Sequence, residues 1–65
     1  MSTREILSIL FHGEHFIDVT YDVGETDILI GTREMASELA EDEGLFVVPT
    51  DLHMVLWVKP HRPCD

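Results

Sequence analysis

Bases are nearly absent from the middle of this chain. Residues 14–43 hold ten carboxylates, and the one base among them is Arg33. Elsewhere Glu5, Asp51 and Asp65 balance Arg4, Lys59 and Arg62, so the whole net charge of −9 lies in that block and its flanks are neutral. A field of this sign repels phosphate backbones and anionic bilayers, which excludes direct nucleic-acid binding and membrane-surface binding. Its electrostatic match is a basic surface, such as that of a protein which itself binds nucleic acid.

Other scarcities narrow the class. Cysteine is limited to Cys64, which excludes an intrachain disulfide framework and suits a reducing cytoplasm. The N-terminal apolar run, residues 6–11, is broken by Ser8. It is too short for a signal peptide's core plus cleavage site, and far short of the roughly 20 residues that span a bilayer. There is no glycine-rich phosphate loop, no linker, no repeat and no low-complexity tract. The 65 residues, 45% of them apolar, are expected to form one compact domain over 1–65, with 60–65 as a short C-terminal tail. A chain this small hides only about 60% of its unfolded surface.

What is present is patterned. Residues 6–11 read as a short buried strand. The alternative is a helix, since Ser2 followed by Glu5 resembles a capping box. The strand is preferred because His12-Gly13-Glu14 makes a tight connection to the clear strand over residues 15–22. There Ile17, Val19 and Tyr21 alternate toward a core, leaving Asp18, Thr20 and Asp22 in water. Residues 23–26 form a turn with Gly24, and residues 27–30 a third strand. Thr32 caps a helix from Arg33 to about Glu43, closed by Gly44, with Met35, Ala36, Leu39 and Ala40 as the stripe facing the sheet. Strands over residues 45–48 and 53–59 follow. The expected fold is α+β: a small antiparallel sheet with one helix packed on one face, in the order β-β-β-α-β-β. Trp57, Tyr21 and Phe46 are expected in the core; if the sheet has an open face, Phe16 and Trp57 are its exposed aromatics.

The candidate site is the acidic block. Residues two apart on a strand lie about 6.8 Å apart on one face, so Asp18 and Asp22 stand roughly 13–14 Å apart, and Glu25 and Asp27 extend the strip. Residues four apart on a helix rise by about 6 Å, which lines up Glu34, Glu38 and Asp42. Such rows imitate the charge and repeat of a phosphate backbone. Glu41, Asp42 and Glu43 also crowd the negative end of the helix dipole, at about 0.3–1 kcal/mol each. A local rule broken without compensation points to function. The plain alternative is a solvated, solubility-giving surface.

Catalysis and metal binding find little footing. His12, Glu14 and His15 share a turn but lack any zinc spacing, and the two histidines are expected in water. Cys64, Ser8 and Ser37 have no adjacent base, and the carboxylates are too exposed to serve as a general acid. No enzyme activity, cofactor or metal is expected.

The compact acidic chain, with its strip Asp18-x3-Asp22-x2-Glu25-x-Asp27 and Glu34-x3-Glu38-x2-Glu41-Asp42-Glu43, resembles the phage-encoded anti-CRISPR proteins. Within them it is most similar to the small inhibitors of type I Cascade complexes, type I-C in particular. That group has no common motif or fold, so the resemblance transfers no residue role. It implies a monomeric DNA mimic in the cytoplasm of an infected bacterial host. Its partner would be a basic DNA-binding surface of a CRISPR effector subunit, such as the groove that receives target duplex. The competing expectation is a protein-interaction module, antitoxin-like or a phage complex subunit, that binds through an apolar sheet face around Phe16 or Trp57.

Overall fold

The computed structural model describes residues 4–50 and 53–60. Its elements are β1 (Ile6–His12), β2 (Phe16–Tyr21), β3 (Thr26–Ile30), α1 (Arg33–Asp42), β4 (Phe46–Val48) and β5 (Val55–Val58). The strands form one antiparallel sheet in the order β3-β2-β1-β5-β4, so the first strand of the chain is the central one. This is the expected α+β arrangement, with α1 crossing β1 on one face of the sheet.

β1 is extended rather than helical because its backbone groups are claimed from both sides. Ser8, Ile9, Leu10 and Phe11 pair with β2 on one side and with β5 on the other, and buried amides must find such partners. The register slips by one residue between Ile6 and Ser8. The bulge at Leu7 lets Ile6 and Ile9 share the helix-facing side despite their odd spacing.

The helix ends follow from specific residues. Thr32 is extended, and its Oγ1 accepts from the Met35 amide at 3.2 Å. At the other end Gly44 adopts φ +73°. Its amide donates to Glu41 O at 3.1 Å and that of Leu45 to Ala40 O at 2.9 Å, the paired bonds of a Schellman closure. Leu45 is thereby turned into the core. Replacing Thr32 by Ala removes the N-terminal acceptor, with an expected loss of about 1 kcal/mol. For a domain this small that is a melting point lower by roughly 4–8 °C, measurable by circular dichroism. An unchanged melting point would show that the cap does not hold the helix.

The core lies between α1 and the sheet. It comprises Ile9, Phe11, Ile17, Val19 and Trp57 from the strands, with Ala36, Ala40 and Leu45 from the helical layer. Ala36 and Ala40 are almost fully buried, and their small side chains let the helix approach closely. Met35 departs from the expected stripe. It is 54% exposed, because it sits at the entry of the helix and leans over Gly31, where a Cβ would come within 3.1 Å of its sulfur.

The faces of β4 and β5 also correct the sequence reading. Trp57 pairs with Ile9 and Val47 and is buried under the helix. Phe46, expected in the core, is opposite Val58 on the other side of the sheet and is half exposed. Both strands are apolar in both phases, so alternation alone could not choose. The strands are also shorter than expected, at three and four residues. Ser2, Cys64 and residues 61–65 of the expected tail lie outside the described residues.

Candidate functional site

Glu34, Glu38, Glu41 and Asp42 project from α1, Glu43 is its C-cap, and all five are exposed. The last turn carries no base. Among the described residues, none of the five forms an ion pair. At 1.5 Å of rise per residue, Glu34, Glu38 and Asp42 form a row of about 12 Å. The Schellman bonds satisfy the terminal carbonyls, but the three carboxylates beside them still oppose the dipole.

The other half of the expected strip is not one surface. Asp22 lies beyond the end of β2, in the turn, where its carboxylate accepts from the Glu5 amide at 3.3 Å. Glu25 is paired with Arg4 at 2.8 Å. Asp27 stands opposite Val19, on the helix side of the sheet, and accepts from the Tyr21 hydroxyl at 3.1 Å. The Arg4 guanidinium lies 4.2 Å from the centre of the Tyr21 ring. Desolvation, then the bond to Asp27, pushes the Tyr21 hydroxyl above its ordinary range, so it stays protonated and donating. The hydrogen bond to Glu25 raises the Arg4 guanidinium further. Two of the three turn carboxylates are thus answered by side chains of the fold itself. The contact between Arg4 and Glu25 spans 21 residues, and no local spacing signals it.

Asp18 is corrected more sharply. It is half-buried on the face away from the helix, and its Oδ2 stands 3.1 Å from His12 Nε2. The pair is imperfect. His12 Nε2 and Asp18 Oδ1 are both out of solvent without a hydrogen-bond partner. His12 also stacks on Phe16 at 5.7 Å, so it is a sheet residue and not one of two histidines in water at a hairpin tip; His15 is exposed in the turn.

That far face is the feature sequence reasoning underrated. Phe16, Ile28 and Ile30 form one apolar group over β2 and β3, and Phe46, Val48, Leu56 and Val58 form another over β4 and β5. Ile28 is 66% exposed, Ile30 72% and Phe46 50%. The available signal was that several strands are apolar in both phases. An antiparallel sheet with one solvated face ordinarily alternates apolar and polar residues.

The described residues enclose no pocket. They hold no group of three or more His, Cys, Asp or Glu side chains placed to bind a metal, and no helix long and apolar enough to cross a membrane. No family model, curated protein or solved structure matches this chain.

Proposed function

We propose that this protein is an inhibitor that presents the carboxylates of α1 to a basic, nucleic-acid-binding surface. In the form implied by its resemblance, it is an anti-CRISPR protein that blocks target DNA binding by a type I Cascade in the cytoplasm of an infected bacterium. One observation carries this reading: Glu34, Glu38, Glu41, Asp42 and Glu43 are exposed together, with no ion pair among the described residues to neutralise them. A row of fixed carboxylates on a rigid helix attracts lysines and arginines over a long range and speeds encounter. Asp22 and Glu25 are exposed in the β2–β3 turn, where Glu25 is already paired with Arg4, while Asp18 and Asp27 serve the fold.

Competition tests it. Purified protein is added to a type I-C Cascade with its target duplex, at low salt and again at several times physiological ionic strength. The expected result is displacement of DNA that fades as the Debye length shrinks from about 10 Å at 0.1 M toward about 3 Å at 1 M. No displacement at low salt would remove the reading.

A second reading is favoured by the exposure of Phe16, Ile28, Ile30 and Phe46. It is a module that docks on a partner through the open sheet face, and its binding would change little with salt.

A further inference from the structure

We propose that the open face of the sheet is covered by a second copy of the chain. The two sheets pack face to face about a twofold axis, and the acidic helices lie on the outside. This replaces the monomer implied by the resemblance, and it does not depend on which partner the helix engages.

Charge selects the occupant. Two bodies of net charge −9 can meet closely only where that charge is absent. Among the described strand residues the carboxylate on the open face is Asp18, held against His12, while the helix acids stand on the opposite side of the sheet. Packed sheets lie about 10 Å apart, with each helix layer about another 10 Å out. The two acidic rows are then roughly 30 Å apart, several times the Debye length of about 8 Å at physiological salt. Nucleic acid and anionic lipid carry the wrong sign for this protein. A basic partner is drawn to the helix, not to this face.

The layout of the face is self-complementary, as an isologous contact requires. The group Phe16, Ile28 and Ile30 lies toward one edge, and Phe46, Val48, Leu56 and Val58 toward the other. Between them runs a strip in which Leu10 stands among the polar side chains of Asp18, His12, Thr20 and Ser8. A twofold axis in the plane of the interface, whether along the strands or across them, sets apolar groups on apolar groups and strip on strip.

The area fits a weak, concentration-dependent dimer. The five strands hold 25 residues, which at about 4.8 Å by about 3.3 Å each project a face of roughly 400 Å². That is short of the ~800 Å² per partner of a standard stable interface, so association is expected toward the upper end of the concentration range.

Sedimentation equilibrium of the native protein, from about 1 µM to about 500 µM, tests the proposal. The expected mass rises with concentration from 7.4 kDa to twice that value, and rises earlier at higher salt. Ile28→Lys and, separately, Phe46→Lys each weaken the dimer by ~10-fold or more. Both positions are exposed, so circular dichroism should show the fold retained, and Glu38→Lys leaves the dimer intact. A monomer at every concentration would hand this face to another protein and overturn the proposal. So would a dimer broken by Ile28→Lys but not by Phe46→Lys, which would mark edge-to-edge pairing through β3. Loss of the dimer with Glu38→Lys would place the contact on the helix and overturn it as well.

Discussion

The combined variant Glu38→Lys/Asp42→Lys/Glu43→Lys is expected to lose partner binding and to gain stability. Each swap adds two charge units, so the net charge moves from −9 to −3 and the row on α1 changes sign. Steering by a charged face is worth about 10- to 1,000-fold in association rate, and like charges now face like charges. Competition with target DNA should therefore fall by on the order of 100-fold or more at moderate salt. Stability moves the other way. Lysines at Asp42 and Glu43 complement the dipole at a helix end that has no base, at about 0.3–1 kcal/mol each. A gain of about 1 kcal/mol raises the melting point by roughly 4–8 °C. The turn swap Asp22→Lys/Glu25→Lys/Asp27→Lys has the reverse signature. It breaks the contacts of Glu25 with Arg4 and of Asp27 with Tyr21, so it should lower stability while costing less binding. Full inhibition by the helix variant would falsify mimicry by α1.

The second large effect separates two aromatics that look alike in sequence. Trp57→Ala should leave little folded protein. The side chain is 7% exposed beneath the helix, and removing a buried Trp costs about 3–5 kcal/mol. At about 0.05–0.15 kcal/mol per residue, a chain of this length holds only about 3–10 kcal/mol in total. Phe46→Ala, at a half-exposed position, should cost less than about 1 kcal/mol in dilute solution. Urea titrations followed by far-ultraviolet circular dichroism measure both. A larger loss from Phe46→Ala than from Trp57→Ala would mean that the two faces of β5 and β4 are the reverse of those described.

These aromatics also show where the fold was legible in the sequence and where it was not. β2 could be read because Ile17, Val19 and Tyr21 alternate with Asp18 and Thr20. The helix could be read because Thr32 and Gly44 mark its ends through their own chemistry. β1, β4 and β5 offer apolar side chains in both phases, so their faces are decided only by whom they pair with, and the bulge at Leu7 has no local mark. The acidic row on α1 follows from helical spacing alone. Its expected continuation through Glu25 and Asp27 fails because Arg4 and Tyr21, remote in sequence or turned by the strand, reach those carboxylates first. Asp18 fails for a geometric reason: a strand has two sides, and its side is not the helix's.

The central place of β1 has a consequence for how the chain comes to be folded. β2 can pair with it through a three-residue turn, but its other edge waits for β5, whose partner positions lie 44 to 50 residues away, from Phe11 with Val55 to Ser8 with Val58. Closing a loop of that length carries an entropy cost that grows as the logarithm of its span, and such distant pairings slow folding relative to local ones. During synthesis the β1–β2–β3 meander therefore leaves β1 open along one edge until nearly the whole described chain has been made. The contact between Glu5 and Lys59 and the bond from the Lys59 amide to Leu7 O belong to that late β1–β5 seam.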